Sequence, residues 1–306
     1  MNSPSPPAFK LPERARDLEA KLTRAGYLPD DATTLALHLA LELGRPLLLE
    51  GPAGVGKTEL ARAAAEALGR SLVRLQCYEG LDEAKALYEW DYAKQMLYTQ
   101  LLRDAVAQKT EGAPTLVEAA ERLADADDAF FSERFLVERP LLQALRSPTP
   151  VVLLVDEVDR ADPEFEALLL ELLAEGQITV PELGTLRATH PPLVILTTNA
   201  TREMTDALRR RCLHAFLDYP TPSRELAIVE KRVPGISAAL AAQLVAFAQK
   251  LRTLELRKAP SIAETIDWAR AILTLGASAL DKDLRDATLG VLLKHREDRE
   301  KAASLP

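Results

Sequence analysis

Short, mostly apolar runs alternate with longer amphipathic stretches over the first two thirds of the chain. The apolar runs fall at residues 46–50, 71–76, 151–155, 192–198 and 214–218. Runs of this length, separated by helical stretches, are typical of buried strands in a parallel sheet whose two faces are covered. A weaker pair of runs at 177–180 and 185–189, around Gly184, predicts a small hairpin. The overall pattern predicts an α/β domain.

Apolar residues at helical spacing fill most of the remaining chain. They predict helices at about 13–25, 29–43, 58–68, 163–174, 223–231, 237–251, 261–275 and 282–295. The segment Ser261-Ile262-Ala263-Glu264 has the Ser-x-x-Glu pattern of a capping box and marks one helix start. Because only helices follow Pro222, we place a domain boundary there. The predicted divisions are an N-terminal extension at 1–25 with a disordered Pro- and Ser-rich start, an α/β domain at 26–222 and a helical domain at 223–306.

The stretch from residue 77 to residue 150 shows no clear buried strand. It contains an aromatic segment at 88–92, helical pattern at about 93–107 and 116–124, and an acidic loop at 125–134. Packing between elements is the simplest interpretation of the aromatic residues.

The clearest chemistry lies where the first apolar run turns through glycines into a helix. The sequence GPAGVGKT at 51–58 has the G-x-x-x-x-G-K-T spacing of a phosphate-binding loop. Glycines permit backbone angles that turn successive N–H groups toward an anion, and the helix adds the positive end of its dipole. Lys57 supplies a mobile charge for the β- and γ-phosphates, and the Thr58 hydroxyl is placed to bind Mg²⁺. The predicted nucleotide contacts here are Gly51, Pro52, Ala53, Gly54, Val55, Gly56, Lys57, Thr58 and Glu59.

A second signature follows the apolar run at 151–155, which ends in Asp156 and Glu157. In an open α/β sheet, the carboxyl end of such a strand lies beside the phosphate loop. We expect Asp156 to hold the water shell of Mg²⁺ together with Thr58. We expect Glu157 to polarise the water that attacks the γ-phosphate. ATP and Mg²⁺ are therefore the predicted cofactors.

Two further groups leave alternatives open. Asn199 ends the run at 192–198, where it either orients the attacking water or simply forms a turn. Arg209, Arg210 and Arg211 end a helix before the last strand. They complement the helix dipole or lie in solvent, or one of them reaches the nucleotide of a neighbouring subunit as an arginine finger.

Composition narrows the class of protein. The 306 residues suggest two domains, and the net charge of −8 argues against a surface built mainly to hold nucleic acid. No apolar run has the length to cross a bilayer and no apolar signal core is visible, so we expect neither membrane insertion nor secretion. Cys77 and Cys212 are far apart, and the four histidines have no metal-like spacing. These features predict a cytoplasmic protein without a transition metal.

The order of these features resembles that of AAA+ ATPases, and of their MoxR branch in particular. The likeness is carried by GPAGVGKTELA at 51–61, RLQCYEG at 74–80, YEWDY at 88–92, LLVDEVDRADPEFEALLLELL at 153–173, LTTNATRE at 196–203 and KAPSIAETIDWARAI at 258–272. It extends over about residues 26–296. The resemblance implies an αβα core with a five-stranded parallel sheet and a smaller all-α lid. It also implies a ring, hexameric by analogy, with ATP between subunits.

The resemblance also implies roles for single residues. Asn199 would be the first sensor, and Arg211 would be the finger acting in trans, with Arg210 as its rival. Backbone groups at Tyr27 and Leu28 would contact the adenine.

The resemblance also implies two inserted segments, and at one position this chain differs from the family pattern. The stretch after Cys77 and the hairpin at 177–189 would be insertions on the pore side of the ring. Many relatives carry an arginine early in the third lid helix, where this chain has Ala263. Arg270, further along that helix, is a conceivable substitute.

The function implied is that of an ATP-hydrolysing chaperone that remodels or matures client protein complexes, with a partner containing a von Willebrand A (VWA) domain. A DNA-associated AAA+ loader or motor is one alternative, which the acidic composition disfavours. A nucleotide-switched scaffold with little hydrolysis is another, prompted by Ala263.

Overall fold

A five-stranded parallel sheet lies at the centre of the α/β part of the protein. The computed structural model describes residues 10–101, 115, 133–180 and 184–305. Its strands are β1 Leu47–Glu50, β2 Ser71–Gln76, β3 Tyr88–Trp90, β4 Leu136–Glu138, β5 Val151–Asp156, β6 Gln177–Val180, β7 Gly184–Arg187, β8 Leu193–Thr198 and β9 Leu213–Phe216. The large sheet has the order β2-β5-β8-β1-β9, and its neighbouring strands pair in parallel. The predicted parallel sheet is confirmed, and so is the hairpin, formed by β6 and β7.

Helices surround this sheet and build the part of the chain after β9. They are α1 Glu13–Arg24, α2 Asp31–Leu43, α3 Lys57–Leu68, α4 Glu83–Ala86, α5 Tyr92–Leu101, α6 Pro140–Leu145, α7 Pro163–Glu175, α8 Asp206–Arg211, α9 Pro222–Arg232, α10 Ala238–Arg252, α11 Ile262–Thr274, α12 Lys282–Leu292 and α13 Arg296–Ala303. Among the described residues, no helix combines the length and the apolar composition that a membrane span needs.

Alternate residues of β5 enter two different apolar clusters. Val151, Leu153 and Val155 pack on one face of the sheet, and Val152 and Leu154 pack on the other. Both faces are therefore covered, as the unbroken apolar run predicted. The polar residues that follow such a strand are left at its carboxyl end, which is where the candidate site lies.

The first described helix packs onto the α/β domain. Leu18 and Leu22 of α1 are buried in the apolar cluster that also contains Leu47 of β1 and Leu60 of α3. Although α1 falls inside the predicted extension at 1–25, it is part of this packed unit. Residues 1–9, where we expected disorder, lie outside the described residues.

Two short strands lie in the stretch where the sequence indicated none. β3 and β4 form a small antiparallel sheet, and Trp90 is their one buried residue, so the apolar pattern was too weak to mark them. Tyr88 packs edge-on against Trp90 with 5.9 Å between ring centroids, but Tyr92 is 67% exposed. Packing therefore accounts for only part of the aromatic segment. Much of the helix expected at 93–107, the helix at 116–124 and most of the loop at 125–134 lie outside the described residues.

The helix predicted at 282–295 is two helices. Leu293 has extended backbone (φ −119°, ψ 123°) and ends α12, and α13 begins at Arg296. The buried carboxylate of Asp298 anchors α13, because it accepts hydrogen bonds from the backbone N–H groups of Arg257 at 2.8 Å and Lys258 at 3.2 Å. The sequence of α13 is nearly all polar, so no apolar spacing was present from which a separate helix could be predicted.

The helices after β9 have an apolar cluster of their own, in which Trp268 is fully buried. The predicted capping box is present, since the Ser261 N–H donates to Glu264 at 2.7 Å and the Ser261 hydroxyl accepts from the Glu264 N–H at 3.4 Å. The next residue, Ile262, packs in the same cluster as Tyr27 and Val55. The start of α11 therefore connects the helical part, hereafter the lid, to the loop after β1.

Candidate functional site

Three strand ends meet at one edge of the sheet. β5, β8 and β1 are neighbours running in parallel, so the residues that follow them, Glu157, Asn199 and Gly51, lie close together. The loop from β1 to α3 has positive φ at Gly51 (152°), Gly54 (76°) and Gly56 (102°). A Cβ at Gly51 would lie 1.9 Å from the carbonyl oxygen of Leu217, so glycine is required there. The loop therefore has the glycine-dependent turn that the sequence predicted.

Lys57 is the buried cation of this loop, with 6% of its surface exposed. Its ammonium group donates to the carbonyl oxygens of Gly51 at 2.7 Å and Pro52 at 2.8 Å, and to Asn199 Oδ1 at 2.8 Å. Burial lowers the pKa of Lys57, while three nearby carboxylates act in the opposite direction. All three donors of the ammonium group are used, and the lysine links the loop to the end of β8.

Asp156 is buried at the end of β5, where its carboxylate accepts hydrogen bonds from three other side chains. Thr58 Oγ1 lies 3.0 and 3.1 Å from its two oxygens, Thr197 Oγ1 lies 2.6 Å from Oδ1, and Arg74 Nη2 lies 2.6 Å from Oδ2. Thr58 and Asp156 bring a hydroxyl and a carboxylate to one place. Mg²⁺ prefers such hard oxygen ligands and uses few protein groups while keeping several waters. The donor set fits the expected magnesium site.

Glu157 adopts a left-handed backbone conformation (φ 56°, ψ 50°), and Ala200 is the other non-glycine residue with positive φ in the described ranges. Its carboxylate accepts hydrogen bonds from Gln76 Nε2 at 3.0 Å, Arg160 Nη1 at 3.1 Å and Asn199 Nδ2 at 3.4 Å. This conformation costs roughly 1–2 kcal/mol for an L-residue and persists where the surroundings enforce it. The glutamate is therefore held in one defined position next to Asn199.

A buried carboxylate fixes the loop that follows β8. Asp159 accepts from Thr201 Oγ1 at 2.6 Å, from the Thr201 N–H at 2.9 Å and from the Asn199 N–H at 3.3 Å. Burial acts to raise the pKa of Asp159, but the hydrogen bonds from Thr201 and Asn199 outweigh it and the pKa is lowered. The ionised Asp159 thus holds Asn199 with its side chain between Lys57 and Glu157.

The three arginines at the end of α8 differ in their surroundings. Arg209 Nη2 lies 2.8 Å from Glu50 Oε2 at the end of β1, so this residue is held against its own subunit. The exposed side chains of Arg210 and Arg211 have no carboxylate partner in the described part of the chain. Arg45 fixes the backbone of these two residues by donating to their carbonyl oxygens at 2.8 and 3.3 Å. Arg210 and Arg211 stay the two candidates for a finger.

A cavity of about 210 Å³ lies between the loop and the lid. Tyr27, Leu28, Glu59 and Ala263 line it. The Leu28 carbonyl, one of the backbone groups expected near the adenine, accepts hydrogen bonds from Arg224 at 2.8 and 3.2 Å. The structure therefore brings the predicted adenine residues to the same cavity as the loop.

A lid arginine reaches this cavity, but it is not the one considered from the sequence. Arg270 is half-exposed, lies outside the lining residues and contacts Asp267 at 3.4 Å. Arg232, at the end of α9, lines the cavity and its Nη1 lies 2.7 Å from Glu59 Oε1. The ion pair of Arg232 with Glu59 could not be predicted from the sequence, because it joins two residues in separate parts of the chain.

A methyl group at Gly54 should separate the loop from the lid. The Cβ would lie 2.4 Å from Ser261 Oγ, and the residue has φ 76°. We expect Gly54→Ala to weaken ATP binding roughly tenfold, because strain and displacement of α11 act together. The measurement is titration with a fluorescent ATP analogue. Gly44→Ala is the matched control, since Gly44 has φ 60° but open space around it. Equal affinities in the two variants would contradict the close approach.

Comparison with known proteins places the site in a family. Residues 46–212, more than half of the chain, match the AAA domain of the dynein-related subfamily. The chain belongs to this AAA family. The matched region contains the loop, Asp156, Glu157 and Asn199. Family and fold together imply nucleotide binding. AAA+ proteins usually assemble as oligomeric rings.

Three curated relatives refine this placement. The chain is 27% identical to the gas vesicle ATPase GvpN of Haloferax mediterranei, over 69% of this chain and 58% of that protein. It is 24% identical to NorQ of Paracoccus denitrificans, over 75% of this chain and 73% of NorQ. It is 33% identical to ClpB 2 of Thermosynechococcus vestitus, over 50% of this chain but only 13% of that chaperone. GvpN and NorQ are MoxR-family AAA+ ATPases, so the predicted MoxR membership is confirmed.

Proposed function

We propose that this AAA protein hydrolyses ATP to ADP and phosphate with Mg²⁺ bound. The supporting observation is that four chemically distinct groups meet at one sheet edge. Lys57 Nζ lies 2.8 Å from Asn199 Oδ1, and Asn199 Nδ2 lies 3.4 Å from Glu157 Oε1. Asp156 lies next to Glu157 with Thr58 at 3.0 Å. A phosphate-binding cation, a metal-binding pair, a base and a polar amide are the parts that phosphoryl transfer to water requires.

In the proposed reaction, Lys57 exchanges its carbonyl contacts for oxygens of the β- and γ-phosphates. Thr58 and Asp156 would hold Mg²⁺, which would supply positive charge that neutralises the phosphates. Glu157 orients a water molecule and takes up its proton as the water oxygen bonds to the γ-phosphorus and the bond to the ADP oxygen breaks. Asn199 keeps Glu157 and Lys57 at a fixed distance from each other through its hydrogen bonds to both. Arg211 from a neighbouring subunit meets the charge on the departing phosphoryl group.

We also propose that hydrolysis moves the lid relative to the core in a ring, and that this motion remodels or matures client protein complexes together with a VWA-domain partner. The support is that the cavity is lined from both sides, by Glu59 of α3 and by Arg232 and Ala263 of the lid. A nucleotide bound there contacts both parts, so its conversion to ADP changes the contacts that hold them together. The similarity to a protein named as a chaperone, ClpB 2, agrees with this proposal.

The test is phosphate release measured with Mg²⁺ over a range of protein concentrations. We expect turnover per subunit to rise with concentration, since a neighbour completes the site, and to stop when EDTA removes the metal. ATP binding that is retained while turnover stays at the uncatalysed rate at every concentration would overturn the proposal.

That outcome would favour a nucleotide-switched scaffold, the second candidate. The observation behind it is that Ala263 lines the cavity where many relatives carry an arginine, while Arg270 lies outside it. A DNA-associated motor is tested separately by DNA binding over a salt series, because phosphate contacts give a steep salt dependence.

A further inference from the structure

Arg74, on the edge strand β2, makes a direct ion pair with the candidate metal ligand Asp156. Its Nη2 lies 2.6 Å from Asp156 Oδ2, a short charge-assisted hydrogen bond. The Asp156 side chain is 4% exposed, whereas the Arg74 side chain is 51% exposed. One partner is therefore fixed in the protein interior and the other is free to move into water.

The same guanidinium group is connected to the candidate base. Arg74 Nη2 also lies 2.6 Å from Gln76 Oε1, and Gln76 Nε2 donates to Glu157 Oε2 at 3.0 Å. Arg74 and Gln76 are two residues apart on one strand, so their side chains lie on the same face of the sheet. Arg74 contacts Asp156 directly and Glu157 through Gln76.

A guanidinium group and a divalent cation compete for one carboxylate. Arg74 neutralises Asp156 in this arrangement, and its positive charge repels a second cation that approaches the same oxygens. The guanidinium group of Arg74 is half-exposed, so water screens its side of the pair and readily accepts the released arginine. Cation binding at Thr58 and Asp156 is therefore an exchange in which Arg74 leaves.

We propose that Arg74 is a positioning residue that acts as a displaceable counter-ion of Asp156. It holds Asp156, and through Gln76 it holds Glu157, until the arriving divalent cation displaces it. Displacement loosens the contact of Gln76 with Glu157 and frees the base for its water. This inference rests on the proposed ATP hydrolysis and adds a step in which metal arrival and base release are coupled.

The test measures divalent-cation affinity rather than turnover. Mn²⁺ is titrated into the full chain with the non-hydrolysable analogue AMP-PNP, and free Mn²⁺ is followed by its electron paramagnetic resonance signal. We expect Arg74→Ala to bind Mn²⁺ roughly fivefold more tightly than wild type, the scale of a half-exposed ion pair. The difference in Mn²⁺ affinity between Arg74→Ala and wild type should become smaller at about 0.5 M salt, because salt screens the interaction between charges. Equal or weaker Mn²⁺ binding in Arg74→Ala would overturn the proposal.

Two further variants separate charge at Asp156 from general effects. Arg70→Ala also removes one positive charge. Arg70 lies just before β2, four residues and about 13 Å along the chain from Arg74, so this variant should bind Mn²⁺ as tightly as wild type. Arg74→Lys keeps the charge and should stay close to wild type. Binding of AMP-PNP to wild type in the presence of Mg²⁺ reports on the proposed function alone. Without that binding, the proposed function fails and this inference falls with it; with it, the Mn²⁺ comparison decides on Arg74.

Discussion

Replacing Glu157 with glutamine should lower ATP turnover by about 100-fold or more, the usual scale of a lost general base. Glutamine has nearly the same shape as glutamate. Its one oxygen can accept from either Asn199 or Gln76, which donate to different oxygens of Glu157, so one of these two contacts should persist. Glutamine cannot take up a proton from the attacking water. We therefore expect ATP binding to stay within about twofold of wild type, because Lys57 and the loop glycines are unchanged. Single-turnover phosphate release and equilibrium ATP binding measure the two quantities.

The control for this variant is Glu164→Gln, which removes an exposed carboxylate at the start of α7. It should leave both binding and turnover unchanged. Full turnover in Glu157→Gln would remove this residue from the chemistry. Loss of ATP binding together with turnover would instead show that Glu157 maintains the loop, through its left-handed backbone and its bond to Asn199.

The sequence predicted those elements whose burial follows from local composition. β5 and β8 are buried along their whole length, and both were predicted to within about one residue. β3 and β4 were missed because each has three residues and its partner lies more than 40 residues away along the chain. Pairing at that distance leaves no periodic pattern in either segment.

The same distinction applies to the site. Lys57, Thr58, Asp156 and Glu157 were predicted because each belongs to a short motif with known chemistry, and the structure brings them together. Their roles stay predictions.

Arg74 and Thr197 were missed although they contact Asp156 at 2.6 Å. Both approach Asp156 from neighbouring strands, β2 and β8, so the sheet order decides these contacts. Polar residues near the carboxyl ends of two strands are a usable signal only once those strands are known to flank β5.

The largest effect of a residue outside the predicted loop should come from Arg211. We expect Arg211→Ala to lower turnover by roughly 1000-fold, the usual scale of an arginine finger, while each subunit still binds ATP. Arg210→Ala should lose much less turnover than Arg211→Ala. A larger loss in Arg210→Ala than in Arg211→Ala would make Arg210 the finger. Arg209 is the less suited of the three arginines, because its guanidinium group would first have to leave Glu50 of its own subunit.

Mixing two inactive variants tests whether Arg211 acts in trans. Lys57→Ala should lose ATP binding but keep its arginine finger, whereas Arg211→Ala keeps its phosphate loop. In a ring that contains both, an Arg211→Ala subunit next to a Lys57→Ala subunit has an intact loop and receives an intact finger. We therefore expect turnover to reappear when the two inactive variants are mixed. If Arg211 acts within its own subunit, no site in the mixture is complete and turnover stays absent.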